Sequence, residues 1–338
     1  MKISLIGFGN LGQGLTKVIE EKQHYLKEKS GVQLDIVSVV DSGGAIVNEE
    51  GIDIAELSEA SGSQDSVSEV MENGELGTSA LDVVKNVDSD IMVELTPTSI
   101  EDGEPGLTHI KEAMNRGKHV VTANKGPLVV AFDELKELEE RSGLEFKYSA
   151  TVGGAIPVLG LAEGQMSGDS ISEIQGVLNG TTNYILTRMT EENVPFDVVL
   201  SEAQELGIAE EDPTLDIEGI DTAAKMTILA NSLLDKSVKL EDVDVEGITR
   251  IGPEVTKLAR ESGNEIRLVG VANSDGLEVS PKLVSSDNPL VVQGSLNSVT
   301  LKTDLAREMT ITGFGAGPRE TSSALLGDIV DIYKSVEG

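Results

Sequence analysis

The chain has 338 residues, enough for two domains at about 150 residues each, and it carries 26 Lys and Arg against 59 Asp and Glu, a net charge of −33. So acidic a surface repels phosphate backbones and anionic headgroups, which argues against a nucleic-acid partner and against membrane attachment. Cysteine is absent and the only histidines are His24, His109 and His119, so disulfides, cysteine nucleophiles and a His-rich metal site are disfavoured.

No stretch approaches the roughly 18 consecutive apolar residues of a membrane span. The N-terminus runs straight into a glycine-rich turn, without the apolar segment of a signal peptide, so a cytoplasmic protein is expected. Carboxylates are dispersed along the chain, as in 134–145 and 241–246, rather than gathered in a tail. With 3% aromatic residues and no Trp, this pattern predicts a halophilic protein. In molar salt the Debye length falls to about 3 Å and self-repulsion is screened. A partner with a basic face is the competing explanation.

In chain order, residues 2–6 form an apolar run that reads as a buried strand, and apolar positions Leu11, Leu15, Val18, Ile19 and Leu26 give residues 11–29 a helical period. Residues 34–40 predict a second strand ending at Asp41. The acidic, Ser/Gly-rich stretch 45–77 predicts at most a short helix at 54–57. Strands at 91–95, 119–122 and 144–148 alternate with helices at 106–116 and 132–142. That alternation argues for α/β architecture, a doubly wound parallel sheet over residues 1–150. Residues 151–317 have a different rhythm. A strand at 171–178, helices at 182–189, 198–206, 221–231 and 253–260, and strands at 265–272 and 277–283 paired across Asn273-Ser274-Asp275-Gly276 predict an α+β domain. A final helix at 322–335, within 318–338, is expected to return to the first domain.

Gly7-Phe8-Gly9-Asn10-Leu11-Gly12 is a GxGxxG sequence that follows a strand and opens a helix. In that setting Gly7 permits the tight turn, Gly9 lets backbone approach a pyrophosphate and Gly12 allows close helix packing, so a dinucleotide site is expected. Asp41, at the end of the second strand, is the candidate ribose ligand; no Lys or Arg lies between Lys29 and Lys85 to pair a 2′-phosphate, so NAD is favoured over NADP. Thr96 and Pro97 follow one strand and Lys125 follows the next, at the carboxyl edge where such sheets bind ligands. Further on, Glu210, Asp216, Asp221 and Lys225 cluster in sequence. Asp221 and Lys225 are four apart, one above the other on a helical face. That spacing fits a surface ion pair. It also fits a proton-transfer lysine, if Lys225 is buried in a cleft.

The strings GFGNLGQG, ELTPT…GEPGLTHI…GKHVVTANKGPL, ATVGGAIPVL, LNGTTNYIL, LGIAEEDPTLDIEGIDTAAKMTILA and GFGAGPRETSSALLGDI resemble homoserine dehydrogenases, in order and across nearly the whole chain. The resemblance implies a Rossmann-type NAD(P) domain and an α+β catalytic domain that dimerises through its sheet, as a homodimer or a dimer of dimers. It implies reversible reduction of L-aspartate 4-semialdehyde to L-homoserine with NAD(P)H, in threonine and methionine synthesis. Matched position by position, Phe8, Asn10, Leu11, Gly207 and Gly317 contact the dinucleotide, with Thr96 and Lys125 near its nicotinamide end. Glu210 and Asp221 match substrate carboxylates, Thr181 lies near the substrate, and Lys225 is the proton donor, with Lys125 in reserve. The backbone of Val152, Gly154 and Ile156 matches a monovalent cation site (Na+ or K+), although Ser149 stands where the family commonly has Glu. The chain stops soon after Gly317, so no appended threonine-binding regulatory domain is expected. The absence of cysteine excludes aspartate-semialdehyde and glyceraldehyde-3-phosphate dehydrogenases, which need a cysteine nucleophile. Another dehydrogenase of a small carbonyl compound, such as a sugar oxidoreductase, and a dinucleotide-sensing regulator are the alternatives.

Overall fold

The computed structural model describes residues 1–60 and 65–337. Two compact units emerge: residues 1–151 joined by the stretch from Gly317 onward, and Val152–Ala316.

In the first unit β1 (Lys2–Ile6) leads through the glycine turn into α1 (Asn10–Ser30), followed by β2 (Asp35–Val40), β3 (Gly44–Val47), α2 (Ile54–Ala60), α3 (Val67–Val70), β4 (Gly74–Leu76) and α4 (Ala80–Asn86). Then come β5 (Ile91–Glu94), α5 (Gly106–Asn115), β6 (His119–Thr122), α6 (Lys125–Ser142) and β7 (Phe146–Lys147). The sheet order is β4-β3-β2-β1-β5-β6-β7, parallel from β2 to β7, so the strand order reverses at β1 and β5. The stretch 45–77, whose structure the sequence leaves open, adds an antiparallel edge: β3 pairs with β2, and β4 with β3. Residues 61–64 of that stretch lie outside the described residues.

Two predicted boundaries move. The helix expected at 132–142 begins at Lys125, because Asn124 caps it and Pro127 falls in a first turn whose N–H groups lack helical partners anyway. Ala131, at φ −139° and ψ 36°, breaks the helical path and leaves the segment after it to carry the visible periodicity. The strand expected at 144–148 shortens to two residues, Phe146–Lys147.

The second unit runs α7 (Val158–Glu163), β8 (Ile171–Val177), α8 (Gly180–Glu192), α9 (Phe196–Glu205), α10 (Thr214–Ile217), α11 (Ile220–Leu233), β9 (Val243–Val245), α12 (Pro253–Glu261), β10 (Asn264–Asn273), β11 (Gly276–Ser285), β12 (Leu296–Thr303) and β13 (Glu308–Phe314). Its sheet order is β13-β12-β8-β10-β11-β9. The predicted hairpin is present, with Asn273 opposite Gly276 and a two-residue turn between them. Strands β12 and β13, which pair along their lengths, are additional to the sequence expectation. Helix α11 seats closely on the sheet at Gly270, where a Cβ would lie 2.4 Å from Met226 Cγ.

The chain ends in α13 (Pro318–Glu337), which belongs to the first unit. Its Leu325, Ile329 and Ile332 are buried with Leu15 and Ile19 of α1 and Ile3, Leu5, Val39 and Val93 of the sheet. At about 25 cal/mol per Å² of apolar area, that burial is what fixes an otherwise free terminal helix. Among the described residues no helix is long and apolar enough to cross a membrane.

Candidate active site

The turn from β1 to α1 is built as its glycines require. Gly7 adopts φ +106°, and a Cβ there would lie 2.6 Å from the Leu95 carbonyl oxygen. A Cβ on Gly12 would lie 2.3 Å from the Gly7 oxygen, so the helix rests directly on the turn. At Gly9 the same construction meets nothing within 4 Å, which leaves open space in front of the backbone. Helix α1 has neither a side-chain cap nor an acidic residue in its first turn, and its amide groups and dipole present a positive end suited to a pyrophosphate. Asn10 is exposed and Leu11 half-buried, whereas the Phe8 side chain is in the core. Phe8 therefore offers a dinucleotide only its backbone.

Asp41 stands at the end of β2, as expected of a ribose ligand, but its carboxylate is engaged by its own chain. Its Oδ1 accepts from the amides of Gly43 (2.9 Å) and Gly44 (3.3 Å) and from Ser66 Oγ (2.6 Å), while Oδ2 accepts from the Val67 amide (2.7 Å). It thereby ties the loop after β2 to the start of α3. Only Oδ2 keeps ready capacity for a ribose hydroxyl.

At the carboxyl edge of β5 and β6, Thr96 is half-buried and Pro97 exposed. Asn124 joins the two loops: its Nδ2 donates to the carbonyls of Thr96 (3.3 Å) and Pro97 (3.4 Å), and its Oδ1 accepts from the Gly126 amide (3.1 Å). That last bond caps α6, whose first residue is Lys125, half-buried.

In the second unit Asp221 and Lys225 do form a pair, but not a surface one. Lys225 Nζ lies 2.6 Å from Asp221 Oδ2 and 2.7 Å from the Leu178 carbonyl, with the two side chains 11% and 14% exposed. Asn179 completes the cluster, its Nδ2 donating to Asp216 Oδ1 (2.6 Å) and Asp221 Oδ2 (2.9 Å) while its Oδ1 accepts from the Thr182 amide (2.9 Å) as the N-cap of α8. Asn179 is absent from the sequence expectation. The only signal was an Asn before a helix, and that reads as a cap. Thr181 Oγ1 donates to the Ile208 carbonyl (3.0 Å), which fixes the start of α8 to the loop carrying Gly207 and Glu210. Gly207 adopts φ +70°, and Glu210 is exposed. In such a cluster the carboxylates can bind an amino acid's ammonium group, and the buried ammonium can exchange a proton with an oxygen.

Gly317, at φ +120°, precedes α13. Val152 and Ile156 are buried, and Gly153 and Gly154 both have positive φ, turning the backbone sharply between them. The Ile156 carbonyl already accepts from the Val158 amide at 2.8 Å. Ser149 is committed to α13: its amide donates to Asp328 Oδ2 at 2.9 Å. Among the described residues no group of three or more His, Asp or Glu side chains is placed to hold a metal ion.

Comparison with known proteins covers both units. The family model for homoserine dehydrogenase matches residues 157–330, and that for the homoserine dehydrogenase NAD-binding domain matches residues 7–149. A homoserine dehydrogenase of Methanocaldococcus jannaschii is 46% identical over 337 residues, covering 100% of both chains. An NAD(+)-dependent homoserine dehydrogenase of Pseudomonas canavaninivorans is 38% identical over 99% of this chain and 96% of its own. Among solved structures, a hyperthermophilic archaeal homoserine dehydrogenase in complex with NADPH superposes with a TM-score of 0.86 at 30% identity, covering 99% of this chain and 98% of its own.

Proposed function

We infer residue roles from one premise: the chain belongs to the homoserine dehydrogenase family, NAD(P)-dependent oxidoreductases that interconvert L-aspartate 4-semialdehyde and L-homoserine. The observation that carries the assignment of roles is the buried ammonium of Lys225, held between Asp221 and the Leu178 carbonyl.

Bound at the glycine turn of the first unit, the reduced cofactor supplies hydride to the aldehyde carbon. Lys225 gives the proton that the aldehyde oxygen needs as the alkoxide forms, and in the reverse direction its amine takes the proton of the alcohol. Two of its three N–H groups are directed at Asp221 and Leu178, which leaves the third for the substrate oxygen. Asp221, Asp216 and Glu210 supply negative charge for the substrate's α-ammonium group. Asn179 keeps the first two of these at a fixed separation, and Thr181 fixes the loop bearing the third. Thr96, Pro97 and Lys125 serve the nicotinamide end, with Lys125 the alternative proton donor. Gly207 and Gly317 add backbone contacts to the dinucleotide. The carbonyls of Val152, Gly154 and Ile156, hard oxygen donors, would hold a monovalent cation, with Ile156 sharing its oxygen with the Val158 amide. The enzyme works in the cytoplasm as a homodimer or dimer of dimers built on the sheet of the second unit.

NAD is the preferred cofactor. Asp41 is fixed in place by four hydrogen bonds, so its carboxylate cannot swing away from a 2′-phosphate. No cation lies between Lys29 and Lys85 to pair that phosphate. One missing charge-assisted pair costs about 1.5–3 kcal/mol, so kcat/KM with NAD+ and L-homoserine should exceed that with NADP+ by roughly 10- to 150-fold. Equal values, or an excess with NADP+, would show this use of Asp41 to be wrong. Turnover of L-homoserine with either cofactor tests the activity itself.

The dispersed carboxylates support a salt-adapted enzyme. Its melting temperature should climb between about 0.1 M and about 3 M KCl as self-repulsion is screened. A flat profile leaves the acidity to a partner with a basic face.

A further inference from the structure

Glu94 has no part in the roles above, yet it is the fully buried last residue of β5, at the edge where the strand order reverses. Its Oε1 accepts from the Thr96 amide (3.2 Å) and from the Thr96 hydroxyl, and lies 3.6 Å from His109 Nδ1. Thr122 Oγ1 donates to the Glu94 backbone carbonyl (3.0 Å), sits 3.4 Å from Oε2, and accepts from the Asn124 amide (2.9 Å). One line of contacts therefore runs from Glu94 to Thr96. Another runs through Thr122 and Asn124 to the start of α6, where Lys125 sits, and Asn124 closes the loop by donating back to Thr96 and Pro97. A buried carboxylate is costly, and a strand end needs none for packing. What it contributes here is strong acceptance at fixed positions.

We propose that Glu94 is a positioning residue, locking the loop after β5 to the loop after β6 and so fixing where the nicotinamide ring lies. This rests on the reading that Thr96 and Lys125 serve the nicotinamide end.

The test is binding by the intact enzyme of two ligands: the reduced dinucleotide, and the matching ADP-ribose that lacks the nicotinamide. Glu94→Ala should weaken the dinucleotide about tenfold and leave ADP-ribose within about twofold, since only one charge-assisted anchor is lost. Glu94→Gln, which keeps an acceptor for Thr96, should lose less. Turnover with the cofactor deuterated at its transferring position should show a larger isotope effect on kcat, because a displaced ring slows hydride transfer specifically. Should the alanine variant fail to fold, Glu94→Gln and Thr96→Val carry the comparison. Equal weakening of both ligands, as a merely structural role predicts, overturns the proposal, as does unchanged binding of both. Lys125→Ala separates the two layers. If it shifts the ratio of affinities while the Glu94 variants do not, only the proposal falls. If neither Lys125→Ala nor Thr96→Val shifts it, the nicotinamide-end reading falls, and the proposal with it.

Discussion

Replacing Lys225 by alanine should lower kcat by about 10²–10⁴-fold, the range expected when a positioned general acid is removed, while affinity for the dinucleotide should stay near its original value. Apart from Gly207, the residues proposed for the cofactor belong to the first unit, and Lys225 lies on α11 of the second. Its loss also breaks the largely buried ion pair with Asp221. Breaking a buried pair in this way costs about 3–5 kcal/mol. Activity must therefore be read together with the melting temperature. Asp221→Asn with Lys225→Met removes both charges at once and should recover stability without recovering turnover. Near-normal turnover in folded Lys225→Ala would make the pair purely structural and move the proton to Lys125, whose alanine variant belongs in the same series.

The second large effect is that the contribution of Asp328 to stability should fall as pH rises from about 4 to about 6. This α13 carboxyl is 5% exposed, and burial raises it from the ordinary 3.8 to about 6, although the amide and hydroxyl of Ser149 and the nearby Lys147 pull it the other way; Asp331 adds to the rise. The native state thus holds its proton more tightly than the unfolded chain does. Below about 4 both states are protonated and the neutral carboxyl's contribution is whole. As pH climbs through 6 the native state must bury an ion, and the contribution is lost. Two pH units of displacement amount to about 3 kcal/mol. Asp328→Asn keeps an acceptor for the Ser149 amide and cannot ionise, so it should be more stable than the parent by about that amount above pH 6 and indistinguishable from it below about pH 4. Urea unfolding at the two ends of the range measures this. A constant offset at both pH values would assign the effect to packing instead.

The strand–glycine turn–helix unit was legible because three levels agree there: an apolar run, a glycine at each sterically closed position, and a helical period directly after. The stretch 45–77 was not. Its short elements are held by bonds distant in sequence, such as Asp41 to Ser66 and Val67, and show no periodicity of their own. The start of α6 was hidden by Gly126 and Pro127, breakers in a helix interior but harmless in a capped first turn. Strand β12 buries polar positions such as Ser298 and Thr300 among apolar ones, which blurs the two-residue alternation, and β13 buries none of its residues. In the site, Lys225, Asp221 and Asp216 stood out as charges at helical or motif spacing. Asn179 and Glu94 did not, because a cap and a carboxylate at a strand end are ordinary until their buried partners are seen.

The return of α13 to the first unit makes that unit discontinuous in the gene's order of reading. A ribosome delivers the whole glycine turn and seven-stranded sheet first, then 165 residues of the second unit (Val152–Ala316), and only afterwards the helix bearing Leu325, Ile329 and Ile332. Until then the α1 surface around Leu15 and Ile19 lacks the side chains it is buried with in the finished protein. The second unit, although begun later, is continuous and can complete its core while still tethered. The dinucleotide unit is therefore the last to close during synthesis, and a truncation before α13 should expose apolar surface on α1 rather than yield a shorter working domain.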